Sequence, residues 1–150
     1  MIRRALPEDV PAIAELYAPS FATPAFLPRL HSLDEHRRWF GRVVGEQEVW
    51  AAEQDGAILG FAALDRVLTY LYVEPAACGR GVGSTLLEQA KARRPAGLTF
   101  WVFRQNVRAR GFYERHGCCL VRLADGTSNE EKTPDALYEW RPDGERQEDR

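Results

Sequence analysis

The sequence of 150 residues is poor in the features that mark several classes of protein. It has three cysteines, Cys78, Cys118 and Cys119, and an odd number with an adjacent pair does not suit a disulfide framework, so we expect reduced thiols. No apolar run approaches the length of a membrane-spanning helix, and the N-terminus lacks the apolar core of a secretion signal. These absences predict a cytoplasmic protein with no membrane partner.

The sequence also lacks a large excess of positive or negative charge. Twenty Lys and Arg residues against 22 Asp and Glu residues give a formal net charge of -2, which argues against a nucleic-acid partner held by bulk electrostatics. No CxxC or HExxH pattern pairs with further ligands, so the sequence predicts no metal site. The phosphate-binding patterns GxxxxGK[ST] and GxGxxG are also missing, which disfavours a P-loop or Rossmann nucleotide-binding domain.

The length and the composition fit one globular domain, because 45% of the 150 residues are hydrophobic. We predict that this domain spans residues 1–142 and that the charged residues 143–150 form a disordered tail. Strands and helices alternate along the domain without repeats. The expected order is a strand, two helices, three antiparallel strands with a hairpin at Asp55–Gly56, a helix, a strand, a helix and a final pair of strands.

The second of these helices has a clear start. Ser32 and Glu35 have the spacing of a capping box, which predicts a helix that runs to about residue 44. Trp39, Phe40 and Val43 are expected to share the buried face of that helix.

A glycine-rich stretch, CGRGVGS over residues 78–84, runs directly into a helical sequence. Backbone N–H groups in such a turn, together with the positive end of the helix dipole, suit a phosphate or a pyrophosphate. The alternative is a turn in which the glycines only allow a strand to reverse into a helix. The local pattern leaves both interpretations open.

Two motifs resemble those of the GCN5-related N-acetyltransferase (GNAT) family. LYVEPAACGRGVGSTLLEQAK, residues 71–91, is similar to motif A, in which a strand ending in xVxP leads to [QR]xxGxG and an amphipathic helix. NVRARGFYERHG, residues 106–117, is similar to the following motif, N-x-x-A-x-x-F-Y-E-[KR]-x-G. The resemblance implies an α/β (α+β) GNAT fold with a mixed, mostly antiparallel central sheet flanked by helices. It also implies transfer of the acetyl group of acetyl-CoA directly to a primary amine.

The resemblance further implies which residues hold acetyl-CoA. Three strand residues pair through their backbone with the pantetheine arm, and six loop residues hold the pyrophosphate through backbone N–H groups. The strand residues are Leu71, Tyr72 and Val73, and the loop residues are Gly79, Arg80, Gly81, Val82, Gly83 and Ser84. The Arg80 side chain either adds charge to this contact or points to solvent. Cys78 departs from the family, which usually has Gln or Arg there, so one polar contact to the cofactor is lost or shifted.

Catalytic roles follow from the same resemblance. Tyr113 is expected to protonate the departing thiolate of coenzyme A, and the alternative is a helix residue that only packs beside Phe112. Asn106 contacts the cofactor, caps its helix, or does both. Two positions that supply a glutamate base in some relatives correspond to Val67 and Trp101, and neither side chain accepts a proton. The general base is therefore not identified, and water is one candidate.

The acceptor is expected to be a small-molecule or peptide amine. Candidate substrate residues are His31, Glu35, Glu130 and Glu131. The two glutamates at 130 and 131 lie in the loop between the last two strands, where acidic groups attract a cationic amine unless the loop is only a solvated hairpin. A non-catalytic acetyl-CoA-binding sensor or partner module is the alternative function, favoured by the missing base and by Cys78. A homodimer is a further expectation, with Trp140 at the interface.

Overall fold

The computed structural model describes residues 1–22 and 32–142. His31 and the predicted tail at 143–150 lie outside these residues, so the predictions made for them are not tested. The chain forms two compact units, Met1–Ala90 and a second unit that begins at Lys91. Each unit is described by itself. Within the described ranges, no helix combines the length and the apolarity that crossing a membrane requires.

The N-terminal unit contains a four-stranded antiparallel sheet in the order β1-β2-β3-β4. The three antiparallel strands predicted in succession are therefore confirmed. The elements are β1 (Ile2–Arg4), α1 (Val10–Ala22), α2 (Leu33–Glu46), β2 (Glu48–Gln54), β3 (Ala57–Leu64), β4 (Leu68–Val73) and α3 (Val82–Arg93), which begins in this unit.

Local sequence signals explain two of these elements. The Ser32 Oγ accepts a hydrogen bond from the Glu35 N–H at 3.2 Å, and the Glu35 carboxylate accepts one from the Ser32 N–H at 2.9 Å, which confirms the capping box of α2. In the hairpin between β2 and β3, Asp55 and Gly56 have φ angles of 53° and 81°. A two-residue type I′ turn requires such positive φ angles at both central residues.

The buried face of α2 differs from the prediction. His36, Phe40 and Val43 are buried, whereas Trp39 is 44% exposed. The prediction for Trp39 is wrong because positions 36, 40 and 43 form one stripe at helical spacing and position 39 lies beside it. The Trp39 Nε1 instead donates a hydrogen bond to the hydroxyl of Tyr70 at 2.7 Å.

Aromatic rings fill the core of the N-terminal unit between α1, α2 and the sheet. The Tyr17 ring centroid lies 5.0 Å from that of Phe40 and 4.9 Å from that of Tyr72. Phe61 is fully buried and contacts both Phe40 and Tyr72. Because alternate residues of a strand face the same side, Tyr70 and Tyr72 direct their rings into this core.

The C-terminal unit contains a three-stranded antiparallel sheet in the order β5-β7-β6. Its elements are β5 (Leu98–Phe103), α4 (Val107–Arg115), β6 (Cys119–Ala124) and β7 (Asp135–Trp140). Phe100 and Tyr138 on one face of the sheet stack with ring centroids 6.1 Å apart, and Tyr113 of α4 packs on Phe100 at 4.3 Å. Trp101 points to the opposite face and is 44% exposed.

Candidate functional site

Within the described residues, β4 is an edge strand of the N-terminal sheet. One of its edges pairs with β3, and the other edge does not pair in that sheet. The Glu74 N–H donates to the Leu59 carbonyl at 2.7 Å, and the Tyr72 carbonyl lies 2.7 Å from where a Cβ on Gly60 would be. The backbone groups of Tyr72 therefore face β3. Since successive residues of a strand alternate, the backbone groups of Leu71 and Val73 face the outer edge.

The glycine-rich stretch after β4 has a backbone that only glycine adopts readily. Gly79 and Gly81 have φ angles of 83° and 85°, and both residues are exposed. Helix α3 begins immediately afterwards at Val82, and its first hydrogen bond runs from the Thr85 N–H to the Gly81 carbonyl. The N–H groups that open this helix are therefore not used within it, which is the arrangement that favours an anion.

The Arg80 side chain is exposed, as in one of the two alternatives considered from the sequence. Its Nη2 donates to the Gln54 Oε1 at 3.2 Å, which ties the guanidinium to the end of β2. Cys78 is half-buried and ends the short 3₁₀ turn at Pro75–Ala77, where its N–H donates to the Pro75 carbonyl at 3.2 Å. Within this unit, the backbone of the stretch is therefore better placed than its side chains to contact a ligand.

Tyr113 sits on α4 in the C-terminal unit and is 8% exposed. The helix begins at its cap Asn106, whose Oδ1 accepts from the Ala109 N–H at 3.1 Å, so the capping role predicted for Asn106 is confirmed. The helix ends near Gly117, whose φ of 84° lets the chain leave the helix. The Tyr113 carbonyl accepts from the Cys118 N–H at 3.0 Å, so a side-chain cap holds the start of α4 and a backbone contact holds its end.

A polar network that the sequence did not reveal joins α4 to the sheet. The Arg110 Nε donates to the Tyr138 hydroxyl at 3.0 Å, and that hydroxyl donates to the carboxylate of Glu114. Burial raises the pKa of Tyr138, the bond from Arg110 acts to lower it, and the bond to Glu114 acts to raise it. The i, i+4 spacing of Arg110 and Glu114 is the only signal in the sequence, because their partner lies more than twenty residues away.

The candidate substrate residues fall in different places. The Glu35 carboxylate caps α2, as described above, and Glu130 is exposed in the loop between β6 and β7. Glu131 is half-buried in the same loop and lines a cavity that Trp101 also lines. Of these residues, Glu131 alone is among those that line this cavity.

The loop between β6 and β7 is built by its own side chains. The Asn129 Nδ2 donates to the Thr133 carbonyl at 2.7 Å and to the Asp135 carboxylate at 3.2 Å, and the Thr133 N–H returns a bond to the Asn129 Oδ1 at 3.1 Å. The Lys132 Nζ donates to the Thr127 carbonyl at 2.9 Å. These contacts hold the loop together, while Asp125, Thr127, Ser128, Glu130 and Lys132 are exposed.

Comparisons with known proteins agree with the fold and with the two motifs. A model of the family described as "Acetyltransferase (GNAT) domain" matches residues 45–117. The peptidyl-lysine N-acetyltransferase YiaC of Escherichia coli (strain K12) is 28% identical over 149 residues, which cover 93% of this chain and 96% of that protein. A 5-NmdU N-acetyltransferase of Pseudomonas phage PaMx11 is 31% identical over 127 residues, which cover 78% of this chain and 85% of that protein.

Solved structures agree as well. The structure of yncA from Salmonella typhimurium with its cofactor acetyl-CoA has a TM-score of 0.72 and 21% identity, and the match covers 97% of this chain and 95% of that one. The fold class predicted from the sequence is confirmed. The chain belongs to the GCN5-related N-acetyltransferase family, and it is an enzyme that uses acetyl-CoA as acetyl donor.

Proposed function

We propose that the protein moves the acetyl group of acetyl-CoA directly to a primary amine of a small molecule or a peptide. The observation that carries the proposal is the pair of left-handed glycines, Gly79 and Gly81, at the start of α3. The relatives named above are N-acetyltransferases of peptidyl-lysine and of 5-NmdU. A lysine side chain in a peptide is therefore the first acceptor to test, within the cytoplasmic location predicted from the sequence.

Backbone groups of the N-terminal unit would hold acetyl-CoA. Leu71 and Val73 present their backbone groups at the outer edge of β4, so these two are better candidates than Tyr72 to pair with the pantetheine arm. The N–H groups of the stretch from Gly79 to Ser84 would bind the pyrophosphate, because the left-handed glycines bring successive N–H groups to the start of the helix. Acetyl-CoA supplies a thioester, which is the activated acyl group.

The chemical step needs a neutral amine, an oxyanion donor and an acid. The amine nitrogen forms a bond to the thioester carbon, the C–S bond breaks, and the thiolate takes a proton from the Tyr113 hydroxyl, which then regains a proton from water. A backbone N–H near the end of β4 at Val73 would stabilise the oxyanion. Val67 and Trp101 hold no basic group at the positions that supply a glutamate in some relatives, so the proton lost by the amine would pass to water.

The experiment that tests this proposal measures release of free thiol from acetyl-CoA with a panel of amines that includes a lysine peptide. With an accepted amine, Tyr113→Phe should lower kcat about a hundredfold or more, because an acid in the transition state contributes at least that factor. The dissociation constant for acetyl-CoA should not change.

Tyr138→Phe is the matched control. It removes a hydroxyl from a ring whose centroid lies 6.4 Å from that of Tyr113, and it should leave kcat within a few-fold of the wild type. If Tyr113→Phe kept the wild-type kcat, the acid role would be lost. If acetyl-CoA bound but no amine released thiol, the assignment of a transferase would give way to a binding module.

A further inference from the structure

The C-terminal unit contains a cavity of about 450 Å³, a size that suits a small organic group. It lies on the face of the sheet that carries Trp101, at the end where the loop between β6 and β7 begins. Strand β5 contributes Trp101 and Phe103, strand β6 contributes Arg122, and the loop and the start of β7 contribute carboxylates. The carboxylates are those of Asp125, Glu131 and Asp135.

The walls of this cavity are held in place. The Asn129 amide bonds the backbone of Thr133 on both sides, so the loop closes on itself before β7 begins. Gly126 has a φ of 90°, and a Cβ at this position would lie 2.4 Å from the carbonyl carbon of Thr133, so the two ends of the loop touch. A cavity with ordered walls binds without the cost of ordering a loop.

The residues that line the cavity include three acidic residues, Asp125, Glu131 and Asp135, against one basic residue, Arg122, so its net charge favours a cation. The Arg122 guanidinium lies 5.0 Å from the centre of the Trp101 ring and thereby covers that ring. Hydrogen bonds from the N–H and the hydroxyl of Thr127 lower the pKa of Asp125, and the Asp135 carboxylate accepts from Asn129. Among the described residues, no side chain bonds the carboxylate of Glu131, although this residue is half-buried. Glu131 is therefore the carboxylate best placed to bind a ligand.

A carboxylate stabilises an ammonium group in its charged form, whereas the nitrogen that attacks the thioester must be neutral. A cation held by Glu131 is therefore not the nitrogen that reacts. We infer that this cavity binds a second alkylammonium group of the acceptor, separate from the amine that is acetylated. The inference rests on the proposed function for the reacting amine, and it selects acceptors with at least two cationic groups.

Two pairs of acceptors test the inference. They also distinguish a small diamine from a peptide as the molecule that carries the second cationic group. One pair is 1,5-diaminopentane and pentylamine, and the other is a lysine peptide with either Arg or Gln beside the lysine. The dicationic member of at least one pair should have a KM about tenfold lower. Glu131→Gln should remove most of that preference with little change in kcat, whereas Glu130→Gln, on the exposed neighbour, should keep it. Equal KM values within both pairs, or equal effects of the two variants, would overturn the inference.

A second measurement needs no turnover. The indole N–H signal of Trp101, assigned with Trp101→Phe, is followed by NMR while 1,5-diaminopentane is added to the full chain. A saturable shift in the wild type that Glu131→Gln abolishes supports the inference, and no shift in the wild type overturns it. If no amine is acetylated, the proposed function fails and this titration still decides whether the cavity binds the cation.

Discussion

The stretch at 78–84 before α3 and the loop at 125–134 between β6 and β7 hold their shapes by different means. The first depends on backbone conformation, with Gly79 and Gly81 in the left-handed region and the side chain of Arg80 bonded elsewhere. The second depends on side chains, with the Asn129 amide bonded to both the N–H and the carbonyl of Thr133. We propose that backbone N–H groups of the first region bind a ligand, whereas the second uses polar groups to shape a cavity.

The difference explains why the sequence shows a binding pattern in the first region but leaves the second between a substrate-binding loop and a solvated hairpin. A loop that binds through its backbone needs glycine at fixed positions, so its function leaves a pattern in the sequence. A loop that folds through side-chain contacts is built from residues that are common in any turn, so its sequence resembles a solvated hairpin. Substitutions in the first region should therefore lower the affinity for acetyl-CoA. Substitutions in the second should lower the free energy of unfolding.

The largest expected effect is that of Gly126→Ala on stability. A Cβ would lie 2.4 Å from the Thr133 carbonyl carbon and 2.7 Å from the Pro134 nitrogen, and the φ of 90° is itself unfavourable for alanine. We expect a loss of about 3 kcal/mol or more in the free energy of unfolding, measured by urea denaturation. Gly56→Ala has a similar φ of 81° but nothing within 4 Å, so it should cost only about 1–2 kcal/mol. Equal losses for the two variants would show that the loop is not closely packed.

Asn129→Ala should have the next largest effect. It removes bonds to the N–H and the carbonyl of Thr133 and to Asp135, so the expected loss of unfolding free energy is about 2 kcal/mol. The amide hydrogen of Thr133 should also exchange faster. Ser128→Ala, on an exposed neighbour in the same loop, should stay within about 0.5 kcal/mol of the wild type. If both variants were equally stable, side chains would not maintain the loop.

The smallest expected effect is that of Arg80→Ala on acetyl-CoA affinity. The guanidinium is exposed and bonded to Gln54, and we propose that the backbone of the stretch makes the contact. Calorimetry should therefore show a dissociation constant that rises by less than about threefold. A loss of tenfold or more would instead place the guanidinium on the pyrophosphate and contradict the contrast between the two regions.

Features set by neighbouring residues were predictable from the sequence. The capping box at Ser32, the turn at Gly56 and the cap at Asn106 depend on residues within a few positions, and the structure has each of them. The same holds for the glycines at 79 and 81. The catalytic role of Tyr113 stays a prediction, because its position on α4 agrees with the motif without testing the role.

Features set by distant residues were not predictable. Tyr138 is fully buried and bonded to Arg110 and Glu114, and no local pattern links β7 to α4. Trp39 was expected to share the buried face of α2 with Phe40 and Val43, yet it lies beside the buried stripe. The cavity beside Glu131 combines three strands and a loop, so only the folded chain shows which of the two adjacent glutamates lines it.

The most direct test of the central claim is a calorimetric titration of acetyl-CoA into the wild type, Gly81→Ala and Gly56→Ala, with ATP and NAD as comparison ligands. The two glycines have φ angles of 85° and 81°, and neither has an atom within 4 Å of a Cβ, so the strain of the two substitutions is matched. We predict that the wild type and Gly56→Ala bind acetyl-CoA equally and in preference to both nucleotides, and that Gly81→Ala binds at least about tenfold more weakly. Wild-type affinity in Gly81→Ala would contradict the assignment of this stretch as the pyrophosphate site.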